Sequence, residues 1–447
     1  MSVERYTGGE IILKALADQS VEVVFGYPGG VTLPLYNDMY KQNSLRHILV
    51  GHEQGAVHAA EGYARCTGKV GVAMATSGPG ATNTVTGLVD ALMDSIPLVC
   101  LTGQVTSKLI GNDAFQEADI VGITRPCTKH NYLVKDVNLL AGSIHSAFYI
   151  AKHGRPGPVL VDIPKDIQTF KTNYLGKKLT KKVSFYSPRI NPDQKSVLKL
   201  IEMLKKAVKP IFYIGGGVVN SGEKASELLF KLIKKTGFPC TQTLMGLGAF
   251  PTSDKQSLGM LGMHGTYESN LAMHQSDLIL CIGARFDDRI TGKVSGFSPK
   301  SKKIHIDIDA SSFNKSVSVD LTIQGDIKNV LKYILEIIEK QKIRFSSSKY
   351  IKWWDRINTW RNKKCLNYKN DKNIIKPQYA LQRLDALTKD FSPYFSTEVG
   401  QHQMWAAQYL TFNKPKHWMT SGGLGTMGYG LPAAMGVQIA HPKKLVI

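Results

Sequence analysis

The stretch ILVGHEQGAVHAAEGYARCTGK, residues 48–69, sets an acid, Glu53, between two kinds of local order. Ile48, Leu49 and Val50 make a short apolar run of the kind buried strands have. Gly51 breaks it, and Ala56, Ala59, Ala60 and Ala64 then recur at roughly helical spacing. Glu53 therefore stands where a strand hands over to a helix, and in open α/β sheets ligands bind in the crevice outside the carboxyl ends of the strands. The alanines and glycines around it let another backbone approach closely. Taken alone, the acid reads first as a first-turn helix residue favoured by the macrodipole; the rest of the chain overturns that reading.

Working outward, helical patterns alternate with short strands from residue 10 to about 165: VEVVFGYPGG, RHILV, VGVAMATSGPG, IPLVCLTGQ and GPVLVDIPKD. That alternation predicts a parallel sheet with helices on both faces. The lysine-rich stretch from Lys171 to Pro192 reads as a linker. A second α/β unit follows, with helix SVLKLIEMLKKAVK and strands PIFYIGGG, FPCTQTL, SDLILCIGARF and KKIHIDIDA, ending near residue 340. The basic helix after it carries Trp353, Trp354 and Trp360, a pattern that fits packing of the segment onto a domain or a partner surface. A third α/β pattern starts at Lys376 with helix PQYALQRLDALTKD, strand YFSTEVG and helix QHQMWAAQYL, then SGGLGTMGYG and a strand KKLVI. The expected fold class is α/β, three doubly wound parallel-sheet domains over residues 1–170, 190–340 and 376–447, the third incomplete.

The length of 447 residues agrees, since one domain per roughly 150 residues is usual. No run of 18 or more apolar residues suggests a membrane span, and the start, with acids beside its bases, does not read as a signal or transit peptide. Six scattered cysteines lack metal-ligand spacing and read as small core residues of a reducing compartment. The net charge of +21 raises nucleic acid as a partner. Its lysines are scattered over helices without a stripe or a motif, so neither nucleic acid nor membrane is expected.

Gly-rich strand-to-helix turns recur at GYPGG, TSGPGAT, YIGGGVV, CIGAR and SGGLGTMGYG. Each is weak alone; together, beside an acid at a sheet edge, they point to phosphate-bearing cofactors held by backbone amides and helix N-termini. None matches GxxxxGK[ST] or a full GxGxxG, which disfavours ATP-driven and simple NAD chemistry. The set FGYPGG, HEQGAVHAAEGYAR, ATSGPGATN, IGNDAFQEAD, GRPGPVLVDIPKDIQ, LGMLGMHGT, GARFDDRITG, VGQHQMWAAQY and TSGGLGTMGYGLPAAMG resembles the acetohydroxyacid synthase (acetolactate synthase) family, in its catalytic subunit. The likeness runs from about residue 5 to the last; DAFQE, GMHGT and FDDR are its most particular blocks.

The resemblance implies an aminopyrimidine-binding domain, a central FAD-binding domain and a diphosphate-binding domain, with the thiamine diphosphate site between two subunits of a homodimer or higher oligomer. It implies decarboxylation of pyruvate and joining of the hydroxyethyl unit to pyruvate or 2-oxobutyrate, a transferase step of valine, leucine and isoleucine synthesis, together with a small regulatory subunit. Glu53 matches the family glutamate that hydrogen-bonds the aminopyrimidine ring and favours its imino tautomer. Met427 matches the wedge that bends thiamine, and Gly425 offers a carbonyl to its amino group. Val399, Gly400, Gln401 and His402 match the loop near the diphosphate. Arg289 matches the side chain that takes the carboxylate of the second 2-ketoacid, where a guanidinium fork suits a planar acceptor; its plain alternative is a surface ion pair with Asp288. Gly30, Phe115, Gln116 and Lys165 match substrate-channel positions. FAD falls to Arg155, Gly215, Gly216, Gly217, Thr243, Leu244, Met245, Met263, His264, Gly265, Thr266, Arg285, Asp307, Ile308 and Asp326, and is expected to be structural.

Two residues depart from the family pattern: Gly51 replaces a basic residue, and Val31 replaces an alanine near the channel mouth. The family's metal motif, GDG followed by Asn, is expected beyond KKLVI. The sequence therefore assigns no Mg²⁺ ligands, and an inert fragment is one expectation for it. A related pyruvate oxidase using FAD for redox is another. The expected location is bacterial cytoplasm, with an organelle-encoded origin open.

Overall fold

A computed structural model describes residues 4–174, 176 and 186–447. These residues form two compact units, Met1–Ser187 with Ser421–Ile447, and Pro188–Thr420. The third expected domain is thereby divided: its residues up to Thr420 belong to one unit and those from Ser421 to the other.

The first unit is built on six parallel strands in the spatial order Arg46–Leu49, Val23–Gly26, Gly71–Ala75, Leu98–Gln104, Pro158–Pro164, His130–Leu133. All five quoted strand segments are present; His130–Leu133, half-buried and polar, is a sixth that the sequence pattern missed. Alternation along each strand feeds two cores. Val24, Met74, Leu101 and Val161 face Ile11, Ile12, Leu16 and Ile144, while Phe25, Ala73, Cys100 and Leu160 face Ala60 and Leu88. Each fully buried aliphatic side chain contributes about 1.5–3 kcal/mol, so both faces hold helices firmly. The expected linker needs correcting at its start. Lys171–Asn173 is a strand antiparallel to Arg5–Thr7, a pairing across the whole unit that no local pattern announces. Residues 175 and 177–185 of that stretch lie outside the described residues.

The second unit holds six parallel strands in the order Ser257–Met260, Cys240–Gln242, Pro210–Ile214, Leu278–Ile282, Lys302–Asp307, Leu321–Gln324. Numbered along the chain this is 3-2-1-4-5-6, the doubly wound order whose switch point lies between the first and fourth strands. The helix Ile351–Arg361 packs on this unit: Trp353 and Trp360 are buried, and the indole N–H groups of Trp353 and Trp354 donate to the Pro210 and Gly237 carbonyls at 3.1 and 3.0 Å. Packing, not a partner surface, accounts for them.

A two-stranded parallel pair, Phe395–Ser396 with Trp418–Met419, is the sheet of the third pattern. The expected strand KKLVI holds only a single bridge at Val446, because Pro442 and two lysines leave three apolar residues to pair. Cys365 is exposed and the other five cysteines are buried; none of the six is in a disulfide. No helix among the described residues is long and apolar enough to cross a membrane.

His305 has a consequence for acid stability. It lies on the fifth strand of the second unit with no exposed surface, edge-on to Phe286 and Phe313 at 5.2 and 5.1 Å. Its Nε2 stands 3.8 Å from the Asp307 carboxylate, too far for a hydrogen bond, so burial prevails and pushes the imidazole down to about 4. The unfolded chain takes up this proton near pH 6.5, the folded chain only near 4. The stability His305 contributes is therefore complete above about pH 6.5 and lost as the pH falls toward 4, on the order of 3 kcal/mol in all. Thermal melts across that range should show His305→Phe with a flatter acid limb than the parent; an unchanged limb contradicts this assignment.

Candidate functional site

Glu53 opens the helix Glu53–Thr67, capped by His52, whose Nδ1 accepts from the Gln54 backbone N–H at 3.2 Å. The carboxyl is 8% exposed. Its Oε2 accepts from the Asn83 side-chain amide at 2.9 Å, and Asn83 ends the short helix Pro79–Thr82 in the TSGPGATN turn. On the other side, a Cβ on Gly80 would stand 3.1 Å from Oε1 and 2.6 Å from a Thr76 methyl. Gly80 is therefore a close-packed cradle: a side chain there would strike Thr76 and press on Glu53 Oε1. Tyr36 stands nearby, its phenol raised by burial and by the Glu53 charge. Asn83, Gly80 and Tyr36 are site neighbours that sequence reading did not name, although the first two lie in a quoted block.

The turn bearing Gly425 and Met427 belongs to the same unit. The Gln54 amide reaches the Met427 carbonyl at 3.4 Å. Gly425 and Gly428 have φ of 74° and 80°, left-handed conformations that suit glycine and flank the Met427 side chain, which is 80% exposed. Behind it, Gly430–Ala440 forms a helix crossing Glu53–Thr67 at a seam of small residues. A Cβ on Gly62 would fall 2.1 Å from the Ala433 carbonyl oxygen, and one on Gly436 would fall 1.9 Å from that of Ala59. The exposed Met427 side chain and the nearly buried Glu53 carboxyl thus stand on neighbouring segments of one unit, joined through Gln54.

The channel candidates lie at the carboxyl ends of the same sheet. Gly30 follows the strand Val23–Gly26, and a Cβ there would meet nothing within 4 Å. Lys165, exposed, starts the short helix Lys165–Thr169 after Pro158–Pro164. Phe115 is 88% exposed, and Gln116, with φ 60°, sets its carbonyl against Gly78 of the TSGPGAT turn. Val31 presses a methyl toward Gly103, where a Cβ would stand 2.6 Å away.

In the second unit, Gly215 to Gly217, Thr243 to Met245, Arg285, Asp307 and Ile308 all lie at or just after carboxyl ends of sheet strands, as a nucleotide site at the switch point requires. Close packing explains part of this: a Cβ on Gly215 would fall 2.1 Å from the Gly283 oxygen, so the first glycine is needed for turn-to-turn contact with or without a ligand. Asp326 also has a structural role as a cap, accepting from the Asn329 N–H and from Ser221 Oγ at 3.0 Å. Met263 N–H donates to the Arg289 carbonyl at 2.8 Å, which joins the GMHGT and FDDR blocks, and the His264 carbonyl accepts from Gln408 at 2.9 Å. Gly265 and Thr266 continue that turn, Thr266 capping the helix Tyr267–Gln275. Arg289 is exposed and pairs with Asp288 at 3.4 Å, the surface ion pair that was its plain alternative.

Not every group of candidates is gathered in one unit. Arg155 lies in the first, its guanidinium donating to Ser95 Oγ at 2.8 Å, whereas the other flavin candidates lie in the second. Val399 to His402 likewise belong to the second unit and Gly425 with Met427 to the first; His402 Nε2 accepts from the Glu398 N–H at 3.2 Å. Among the described residues the one grouping tight enough to chelate is His58, Glu61 and Asp90. It includes a nitrogen and lies near the Arg65 guanidinium, which does not fit the oxygen shell Mg²⁺ prefers.

Three family models match the chain: thiamine pyrophosphate enzyme N-terminal TPP binding domain over residues 6–123, central domain over 197–334, and C-terminal TPP binding domain over 398–447. The chain is 47% identical to the acetolactate synthase large subunit of Haemophilus influenzae, over all of this chain and 77% of that protein. It is 46% identical to the isozyme 3 large subunit of Escherichia coli, over all of this chain and 77% of that protein. With the chloroplastic acetolactate synthase of Arabidopsis thaliana it shares 46% identity, over 98% of this chain and 65% of that one.

Proposed function

The chain belongs to the acetolactate synthase large-subunit family of thiamine pyrophosphate enzymes, and from that premise we infer which of its residues perform the family's reaction. The reaction decarboxylates pyruvate and joins the two-carbon remainder to a second 2-ketoacid, pyruvate or 2-oxobutyrate, at the head of branched-chain amino-acid synthesis. Thiamine diphosphate, when bound, supplies the electron sink for the decarboxylation and the carbon nucleophile for the joining step.

Glu53 holds the proton that sets the aminopyrimidine tautomer. What supports this is its geometry: a nearly buried carboxyl fixed at Oε2 by Asn83, with Oε1 against the Gly80 cradle. In the two-subunit site that the family resemblance implies, the Gly425 carbonyl and the exposed Met427 side chain come from the other copy of the chain and orient the ring from the opposite side. Gly30, Phe115, Gln116 and Lys165 line the approach at the sheet edge. Arg289, free to leave its exposed contact with Asp288, takes the second ketoacid's carboxylate.

The switch point of the second unit holds FAD, which acts as a structural element because the net reaction transfers no electrons. The large-subunit identity implies a small regulatory partner, and we read the assembly as a homodimer or higher, cytoplasmic, with Mg²⁺ serving the diphosphate. The organisation over residues 1–170, 190–340 and 376–447 is the division we favour for the three domains. The test is to supply the protein with thiamine diphosphate, Mg²⁺ and FAD and to follow acetolactate and oxygen together. Acetolactate formed from pyruvate with negligible oxygen uptake is expected; oxygen uptake matching pyruvate loss would instead establish a pyruvate oxidase.

A further inference from the structure

The Glu53 helix carries a second set of polar residues that the reaction above does not use. Gln54, His58, Glu61 and Arg65, spaced three or four apart, lie on one helix face and meet Asp90 and Asp94 of the helix Val85–Asp94 and the 421–429 turn. Asp90 Oδ1 accepts from the hydroxyls of Ser421 and Thr426, the latter at 2.7 Å. Asp94 accepts from the Gly422 and Gly423 N–H groups at 2.8 and 2.7 Å, and Arg65 lies 3.7 Å from it and donates to Tyr429 at 3.3 Å. Two carboxylates thus grip the turn that leads into Gly425 and Met427.

Glu61 and Asp90 are both wholly buried, and one oxygen of each, Oε2 and Oδ2, has no hydrogen-bond partner. His58 lies between Gln54, whose amide meets its Nε2 at 3.2 Å, and Glu61, whose Oε1 meets its Nδ1 at 3.0 Å. Burial pushes this imidazole down to about 4, so it is neutral, with Nδ1–H donating to Glu61 and Nε2 accepting from Gln54. Among the described residues Arg65 is then the one cation facing three carboxyls, Glu61, Asp90 and Asp94. A carboxylate oxygen of Glu61 and one of Asp90 lie within 4.8 Å of each other, and two buried carboxylate oxygens this close repel and lack a donor. One proton on Glu61 Oε2 supplies the donor for Asp90 Oδ2 and satisfies both atoms at once.

We propose that Glu61 and Asp90 share one proton, and that this acid pair is a positioning device that locks the 421–427 turn against the Glu53 helix. Glu61 is the protonated partner, because Asp90 already accepts from two hydroxyls whereas Glu61, among the described residues, accepts from His58. The direction of burial agrees: it drives the Glu61 carboxyl well above its usual range, with the Asp90 charge acting the same way. The catalytic significance of the turn rests on the reading of Gly425 and Met427 given above.

The test separates the pair from that reading. Infrared difference spectra of the full protein against Glu61→Gln at pH 8 should show the carbonyl stretch of a protonated carboxyl in the parent only; its absence from the parent overturns the proposal. So does metal analysis of the purified protein that finds one tightly held transition-metal ion per chain, removed by chelation together with the fold. Amide exchange at Gly422, Gly423 and Thr426 should rise about tenfold or more in Glu61→Ala and stay within about threefold of the parent in Glu61→Gln, which keeps a neutral donor. Equal exchange in both variants overturns the positioning role. Affinity for thiamine diphosphate should follow the exchange rates; faster exchange with unchanged affinity supports the pair and overturns the assignment of the turn to the cofactor.

Discussion

Replacing Glu53 by glutamine is expected to lower acetolactate formation by about 10²–10⁴-fold, the usual range for removing a group that holds a proton in the transition state. The fold should survive it. Glutamine has the shape of glutamate, and its oxygen can still accept from the Asn83 amide that meets Glu53 at 2.9 Å. What it cannot supply is a negative acceptor on the side facing the Gly80 cradle, where a donating ring nitrogen would have to be met. Thermal melts of the variant should therefore stay within about 2 °C of the parent, because no buried group loses its partner. Steady-state kinetics carry the effect: a fall in kcat with thiamine diphosphate binding retained marks loss of a transition-state contact. A variant that keeps its rate would remove Glu53 from the mechanism.

The largest structural effect is expected at the helix crossing. Gly62→Ala and Gly436→Ala each place a methyl about 2 Å from a backbone carbonyl oxygen of the opposite helix, 2.1 Å at Ala433 and 1.9 Å at Ala59. A backbone oxygen cannot rotate out of the way as a side chain does, so the helices must separate. Overpacking of this kind costs about 1–3 kcal/mol, and here the upper end applies because both contacts are with backbone. Gly142 is the control: it lies inside the helix Val137–Lys152 with nothing within 4 Å of its missing Cβ. Gly142→Ala should stabilise by roughly 0.5–1 kcal/mol through helix propensity alone. Denaturant unfolding of the three variants gives opposite signs if the seam is as described. The double variant at the seam should cost less than the sum of its parts, since either methyl alone parts the same two helices. Destabilisation of all three to the same degree would mean that the seam has no special role.

Much of this architecture is written into local pattern. The strands of the first sheet that carry site loops are apolar runs ending in glycine turns, so Val23–Gly26, Gly71–Ala75 and Leu98–Gln104 are legible along with the turns after them. The strands that escaped notice lack that contrast: His130–Leu133 is half-buried and polar, and Arg5–Thr7 finds its partner at Lys171–Asn173, more than 160 residues away. Glycine was the most ambiguous letter. Gly80 packs against Thr76 beside an acid, whereas Gly215 and Gly217 lie against Gly283 and Gly62 admits a neighbouring helix; sequence alone does not say which. Asp326 shows the same ambiguity among acids, since an Asp after a strand is equally a ribose partner or the cap of the next helix. The ladder of Gln54, His58, Glu61 and Arg65, its middle two buried, did leave a signal. Polar residues recur at helical spacing inside HEQGAVHAAEGYAR, a segment whose other residues are nearly all small and apolar. What the segment does not reveal is that Asp90 and the 421–429 turn meet that face.

The central claim is that Glu53, held by Asn83 over the Gly80 cradle and opposite the Gly425–Met427 turn, activates bound thiamine diphosphate. The rate at which the C2 proton of the bound cofactor exchanges with deuterated solvent, read by NMR after acid quench, tests this without any later step of turnover. The account predicts fast exchange in the parent protein and exchange slowed by about 10² or more in Glu53→Gln at equal cofactor occupancy. Equal exchange rates in the two proteins would contradict it.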